Sequence, residues 1–367
     1  MVGAGTAGLA TAILLARAGA HVEVLERAPE PGPVGAGLLL QPTGMGVLAR
    51  LGVLERVEAG AARIDRIVGT TVRGRRFMDM AYRGEHGLGV HRGALFSALC
   101  DAAVDAGVRV IAGAEIVDYR PEGVLTDARG RTHGPYDLVV GADGARSTMR
   151  RFLDVRARVY EHRWGALWGV FDDPGGVFGT ELDQYFDGAS RMAGFLPTGS
   201  GAVSLFWSVR LDRVAQVRAA GMDAFRRELV ALAPVAETLD LGSMDTLLEA
   251  SYRQISLPRW HAGRLVVLGD AAHALSPQLG QGANLALMDA AALADADSLA
   301  AFEASRRAQA RFYAFGARSL NTVFQSDCNA MALPRDLLFP VFARMFPGRA
   351  LAVLSGRATG PFSSIGA

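Results

Sequence analysis

The sequence predicts an α/β protein: an open, largely parallel sheet into which a second β-sheet domain is inserted, followed by a C-terminal helical region. Three observations predict it. Gly3, Gly5 and Gly8 form a Gly-x-Gly-x-x-Gly pattern, and two acidic turns follow at Gly141-Ala142-Asp143-Gly144 and Gly269-Asp270-Ala271-Ala272-His273. Each acidic turn closes a run of branched apolar residues, 137–140 and 264–268, whose lack of polar alternation marks a parallel strand buried on both faces. Ligands of such sheets bind beyond the carboxyl ends of the strands, so a long ligand lying across a Rossmann-like sheet is expected.

The elements follow in order. Met1 and Val2 alone precede Gly3, so the first strand is expected to be short of its usual length. The helix over 7–17 opens directly after the glycines, which allow a tight turn, close approach of backbone to a diphosphate and close helix packing. With 44 glycines in the chain the pattern alone also suits a plain helix-capping turn. The strand over 21–26 that ends in Glu26 makes a dinucleotide site the better reading, because an acid at that distance binds a ribose diol and disfavours a 2′-phosphate. A helix is expected over 93–106 and another over 222–232. The segments 66–90 and 156–258 show the alternation of strands half-exposed to a cavity, as at 202–209. The expected division is a cofactor domain of 1–65, 91–155 and 259–296, a substrate domain of 66–90 and 156–258, and a mostly helical 297–367. The link at 293–299 is short.

Taken together, Gly3 to Gly8, Glu26-Arg27, Ala36-Gly37-Leu38, His91 to Leu95, Asp143-Gly144, Gly269-Asp270, Pro277 and Gly280-Gln281-Gly282-Ala283-Asn284 resemble the FAD-dependent monooxygenases of the para-hydroxybenzoate hydroxylase type. The resemblance runs over roughly 1–320. It implies that Gly3, Gly5, Thr6, Ala7 and Gly8 meet the diphosphate, that Glu26 beside Arg27 holds the adenosine ribose, and that Ala36, Gly37 and Leu38 line the cofactor. Arg92, Asp143 and Gly144 would lie near the diphosphate, Asp270 at the ribityl chain and diphosphate, and Pro277 against the flavin ring. Gly280, Gly282, Ala283 and Asn284 would line the flavin's pyrimidine edge. A physical reason stands beside the last assignment: the helix opened by this turn has unpartnered N–H groups and a dipole that favour the negative charge of reduced flavin.

Composition narrows the function. A chain of 367 residues, half of them hydrophobic and with net charge +1, buries a large core and shows no electrostatic signature of nucleic-acid binding. Cys100 and Cys328 are too few for a disulfide framework or a metal cluster, so a reducing, cytoplasmic setting and no metal are expected. All 38 basic residues are arginine. That excludes Schiff-base chemistry, a P-loop lysine and lysine-dependent flavin halogenation, because arginine does not deprotonate in proteins. The uncharged start at 1–16 lacks the basic head of a signal peptide, and no stretch reaches the roughly 20 apolar residues needed to span a bilayer. The segment 337–346 reads as a terminal stretch packed on the body, with a membrane or partner surface as the other reading.

The substrate side is less specific. Trp168, Tyr185, Phe195, Phe206 and Trp207, with Met192 and Leu205 as fillers, suggest an apolar, aromatic-lined pocket over the flavin, although each alone suits core packing. His273 and His91 suit structural hydrogen bonds, and no catalytic base stands out. The resemblance implies an enzyme reduced by NADPH or NADH as a transient co-substrate. It would use O₂, through a flavin C4a-hydroperoxide, to hydroxylate or epoxidise an aromatic or polycyclic small molecule. An FAD-dependent reductase of the geranylgeranyl-reductase type and a non-catalytic flavin-binding module are the competing readings.

Overall fold

In the computed structural model, which describes residues 1–32 and 35–359, the parallel sheet forms where the branched runs fall. Val2 bridges Leu25 on one side and Gly141 on the other. The strand order is therefore Arg109–Ala112, Glu23–Glu26, Val2, Val139–Gly141, Leu265–Val267 and an antiparallel His261–Ala262. Met1 takes part in the same pairing, its carbonyl accepting from Leu25 N–H at 2.8 Å. Val139, Val140, Leu265, Val266 and Val267 are almost wholly buried, in one core with Leu9 and Ile13 of helix Thr6–Arg17, Leu95 and Leu99 of helix Arg92–Asp105, and Leu287 of helix Gly282–Asp295. Each such side chain contributes roughly 1.5–3 kcal/mol by leaving water.

The inserted sheet has seven strands in the order Leu248–Ser256, Arg158–Asp172, Ala202–Arg210, Arg191–Gly199, Glu181–Asp187, Arg66–Thr71 and Arg76–Ala81. Gly87–His91 does not join it. That strand pairs with Gly37–Leu40 and Ala62–Ile64 in a small antiparallel sheet, which packs on the Arg191–Gly199 strand.

Register settles which residues share a face. Leu167 stands opposite Trp207, Trp207 opposite Ala193, and Ala193 opposite Tyr185. With the period of two, Phe195 and Leu205 fall on that same face. It packs on the helical layer that follows, against Phe225 and Leu229. Trp168 stands opposite Phe206, and these two share the other face with Ser204. In the strand Ala202–Arg210 every odd position is buried, whereas of the even ones only Ser204 and Ser208 are, and Ala202, Phe206 and Arg210 are half-buried.

At the C-terminal end the segment 337–346 packs on the body along one side only, through Phe339, whose ring lies 6.3 and 6.1 Å from those of Phe77 and Phe324. Helix Ala332–Met345 buries only Arg335, while Leu338 and Met345 are each 65% exposed. Arg335 explains the orientation. Its guanidinium lies 4.6, 4.9 and 5.5 Å from the ring centres of Phe77, Phe186 and Phe324 and donates to the carbonyls of Gly188 and Val323 at 2.9 and 3.1 Å. A buried cation held by three rings, two carbonyls and the Asp336 carboxylate at 2.7 Å is compensated. Among the described residues no single helix is long and apolar enough to cross a membrane.

Candidate active site

The glycine turn is shaped by contact. A Cβ on Gly8 would stand 1.9 Å from the carbonyl oxygen of Gly3, and Gly3 itself has φ of +101° with Ala142 O at 2.6 Å from where its Cβ would be. Gly5 faces open space instead. The first helical hydrogen bond of this segment is Leu9 N–H to Gly5 O, which leaves the N–H groups of Thr6, Ala7 and Gly8 without helical partners. Glu26 braces the turn: its carboxylate accepts from the N–H of Ala4 at 2.7 Å and of Ala28 at 2.9 Å. Each oxygen keeps a further lone pair for a ribose hydroxyl. Arg27 is exposed.

The two acidic turns are tied together by a residue that no motif pointed to. Arg150 donates to Ala271 O at 2.8 Å and to Ala145 O at 3.0 Å, so one side chain clamps the turns at 141–145 and 269–273. Asp143 is used partly within its own turn, where one oxygen accepts from the N–H of Thr148 and Met149 at 2.7 and 3.0 Å. Its other oxygen is buried without a partner. A lone carboxylate acceptor suits a hydroxyl donor and repels phosphate oxygens, which moves the expected role of Asp143 from the diphosphate toward a sugar or ribityl hydroxyl. Gly144 beside it has φ of +78°.

Asp270 begins the short helix Asp270–His273 and is exposed. The protein crowded round it desolvates the carboxyl and pushes its pKa above the usual range, opposed by His273 and Arg92 and reinforced by Asp289. A group donating a hydrogen bond would relieve that desolvation. Arg92, also exposed, stands so near Gly35 that a Cβ there would meet it at 3.0 Å. His91 caps its helix by accepting from Gly93 N–H at 3.1 Å. His273 is buried and pairs with Asp289 at 2.5 Å, so both histidines are engaged structurally.

The side chain of Asn284 is taken up by the fold. It is fully buried; its side-chain oxygen accepts from Gln41 N–H at 2.8 Å, and its amide donates to Leu39 O and Gly280 O at 3.2 and 3.0 Å. The side chain clamps the 37–41 strand to the Gly280 turn, and only the backbone N–H groups of Gly282, Ala283 and Asn284, which precede the first helical bond from Leu285, remain for a ligand. Pro277 and Gly280 are half-buried, Gly280 in the left-handed region. Ala36 and Gly37 are buried and Leu38 half-buried. Gly37 N–H donates to Ser204 Oγ at 3.0 Å, which fastens this strand to the inserted sheet.

That bond identifies the sheet face turned toward the cofactor domain: the one bearing Ser204, Phe206 and Trp168. The close approach of the two strands agrees, since a Cβ on Gly37 would stand 2.7 Å from Ser204 Cβ and 2.5 Å from Thr198 Cγ2. Trp168 and Phe206 meet edge to face with centroids 5.5 Å apart. Tyr252, on the neighbouring strand, accepts from Trp168 Nε1 at 3.3 Å. Phe195 and Tyr185 do not face the cofactor domain. Phe195 is wholly buried and stacks on Phe178 at 5.0 Å, with Tyr185 edge-on at 6.0 Å; Trp207 and Leu205 belong to the same core, whereas Met192 is buried on the Phe206 side, in the cluster with Phe77, Phe186 and Phe324. Tyr252 carried no sequence signal, because a lone tyrosine in a polar strand has none.

The donors present fit FAD: two helix N-termini without acidic residues in their first turns, an acid at a ribose position, and a buried carboxylate oxygen awaiting a hydroxyl. Among the described residues no group of His, Cys, Asp and Glu could hold a metal ion.

Comparison with known proteins agrees. A family model described as an FAD binding domain matches residues 1–322. A probable 2-heptyl-3-hydroxy-4(1H)-quinolone synthase of Rhodococcus erythropolis is 31% identical over 309 residues, covering 81% of this chain and 79% of that protein. The 3-amino-4-hydroxybenzoate 2-monooxygenase of Streptomyces cremeus is 30% identical over 319 residues, covering 80% and 76%. Among solved structures, 2-methyl-3-hydroxypyridine-5-carboxylic acid oxygenase in its tetrameric form superposes with a TM-score of 0.82 over 97% of this chain and 95% of that one, at 24% identity. Fold and site thus define an FAD-binding flavoprotein. The chain belongs to the flavoprotein aromatic hydroxylases of the para-hydroxybenzoate hydroxylase type and is an FAD-dependent monooxygenase. The reductase and non-catalytic readings are not favoured.

Proposed function

We propose that this enzyme hydroxylates an electron-rich aromatic or polycyclic small molecule, with NADPH or NADH as transient electron donor, in the cytoplasm. The observation that carries the reading is the triad Trp168, Phe206 and Tyr252 on the sheet face turned toward the cofactor domain. Two aromatic edges favour a flat ring, and a single hydroxyl among them recognises one polar substituent. Relatives named for a hydroxyquinolone and an aminohydroxybenzoate support an oxygen- or nitrogen-bearing aromatic ring.

Bound FAD supplies the redox and oxygen-transfer chemistry; the chain supplies position, dryness and polarity. In this reading residues 1–65, 91–155 and 259–296 hold the cofactor, with Gly3, Gly5, Thr6, Ala7 and Gly8 at the diphosphate. Glu26 and Arg27 take the adenosine end, and Ala36, Gly37, Leu38, Arg92, Gly144 and Asp270 line the middle. The N–H groups of Gly282, Ala283 and Asn284 point their dipole at the ring. Residues 66–90 and 156–258 hold the substrate. Burial pushes the Tyr252 phenol well above its ordinary pKa, only partly offset by the bond from Trp168, so it keeps its proton at neutral pH. Because Trp168 donates to the phenol oxygen, the phenol's own hydrogen is free to donate to a substrate oxygen. Tyr252 thus orients the substrate and does not act as a base.

The test is turnover under ¹⁸O₂ with a panel of hydroxybenzoates, hydroxypyridines and quinolones, scored by NAD(P)H oxidation and product mass. A product carrying one labelled oxygen supports the reading; full-rate turnover without oxygen, or label arriving only from water, sinks it.

A further inference from the structure

The seven-stranded sheet is irregular beside Tyr252. Between the strands Arg158–Asp172 and Leu248–Ser256 the pairing joins Glu161 to Arg253 and resumes with Gly165 and Ser251, so His162, Arg163 and Trp164 stand opposite Tyr252 alone. Bulges of this kind re-aim side chains beside active sites. On its other edge the strand keeps register, with Trp164 opposite Arg210 and Trp168 opposite Phe206. Trp164 therefore shares the face of Trp168 and Phe206, the one turned toward the cofactor domain.

The bulge is held from outside the sheet. Asn321 of helix Leu299–Phe324 lies 3.2 Å from His162 Nδ1. Gln325, at the end of that helix, donates to Gly165 O at 2.7 Å and accepts from Gln278, beside Pro277, at 2.9 Å. Two donors are fixed in this way. Trp164 Nε1 and His162 Nε2 are both shielded from solvent and have no hydrogen-bond partner among the described residues. An indole N–H can only donate. The Asn321 amide nitrogen also only donates, so His162 Nδ1 accepts and the ring proton sits on Nε2. Burial, reinforced by Arg318, lowers the His162 pKa and keeps the ring neutral at pH 7. Buried donors left unpaired are costly, and an oxygen that carries no hydrogen would satisfy both.

We propose that the bulge at 162–164 is a second recognition point for the substrate, where Trp164 and His162 donate to a hydrogen-free oxygen of the aromatic ligand, a carbonyl or a carboxylate. This rests on the reading of the Trp168 face as the substrate side, and it narrows the substrate to rings that carry such an oxygen. The chain has four tryptophans, so FAD-loaded protein with ¹⁵N-labelled indoles gives few side-chain N–H signals, and Trp164→Phe and Trp168→Phe assign the two that matter. The probes are 4-hydroxybenzoate against 4-methylphenol for the carboxylate, and 4-hydroxyacetophenone against 4-ethylphenol for the carbonyl, with binding read from the flavin spectrum. The oxygen-bearing member of a pair is expected to move the Trp164 signal downfield. Trp164→Phe should weaken its binding by about three- to tenfold for the carbonyl and by more for the carboxylate, while the oxygen-free partner changes by less than about twofold. Should Trp164→Phe lose FAD, His162→Leu removes the other donor and takes its place in the binding comparison. If the Trp168 signal responds and the Trp164 signal does not, or if the variant weakens both members of a pair equally, the proposal is overturned while the substrate face stands. If neither signal responds to any probe, the substrate reading falls with it.

Discussion

The cofactor half and the substrate half of this enzyme are held together by different means. Around the glycine and acidic turns the polar groups have fixed partners: Glu26 braces two backbone N–H groups, Asp143 two more, and Arg150 clamps two turns through their carbonyls. In the seven-stranded sheet apolar residues occupy both faces, and what separates a core residue from one turned toward the cofactor is parity alone. Phe195 and Phe206 are both aromatic residues of adjacent strands; one stacks beneath the helices, and the other meets Trp168 on the cofactor side. Position in the cofactor half is thus set by backbone chemistry, and in the substrate half by register. Substitutions should therefore damage the first through folding or cofactor loss and the second through substrate handling.

The largest effect is expected at Asp289. Its carboxylate is wholly buried and accepts from Gly269 N–H at 2.9 Å, His273 at 2.5 Å and Arg306 Nε at 2.8 Å. Burial pushes its pKa up, but His273 and Arg306 outweigh that and hold it at about 2. Asp289→Asn leaves a buried guanidinium without its counter-charge and should cost about 3–5 kcal/mol. The pH dependence has a definite sign. A carboxyl lowered from about 3.9 when unfolded to about 2 contributes stability that is complete above about pH 4 and lost as pH falls through about 2. Denaturation followed by circular dichroism should show the difference between wild type and variant narrowing across that window; a constant difference would mean the charge is not what Asp289 supplies.

How far the sequence reveals all this follows the same division. The glycines, Glu26 and the strand runs were legible because steric contact and burial leave few residue types open there, and the helix Met222–Leu232 falls on its expected span. Arg150, Asp289 and Arg306 were not, since one charged residue in a helix looks solvated until the fold places a partner beside it. Asn284 sits in a recognisable turn, yet its side chain points into the protein, a direction no motif specifies. Phe195 and Tyr185 illustrate the limit of alternation: when every other residue on both faces is apolar, the pattern cannot say which face meets the cofactor. Within 337–346 an apolar run cannot say which residues turn inward: Phe339 docks on Phe77 and Phe324, while Leu338 and Phe342 stay exposed.

An intermediate effect is expected at Asp270, where the contrast can be sharpened without breaking the fold. Its side chain is exposed, so Asp270→Ala should leave thermal stability of the apoprotein nearly unchanged. A charge-assisted bond to FAD would contribute about 1.5–3 kcal/mol, so affinity should fall by roughly ten- to a hundredfold in a fluorescence titration. Unaltered affinity would remove Asp270 from the cofactor site.

The smallest expected effect is the most selective for the substrate half. Tyr252→Phe deletes only the hydroxyl that accepts from Trp168 Nε1 at 3.3 Å, a long neutral bond, so stability should change by about 0.5–1.5 kcal/mol or less. FAD binding should not change, because the strand Leu248–Ser256 contributes none of the cofactor turns. If the phenol hydrogen orients a polar substituent of the substrate, KM should rise for substrates carrying that oxygen and stay level for analogues lacking it. The added fraction of NAD(P)H oxidised without product would rise with it, since a poorly oriented ring intercepts fewer oxygen equivalents. Measuring coupling and KM for one such pair of substrates distinguishes the roles: an equal change for both analogues would make Tyr252 a packing residue, and the parity argument would then have identified the correct face but not the residue that reads the substrate.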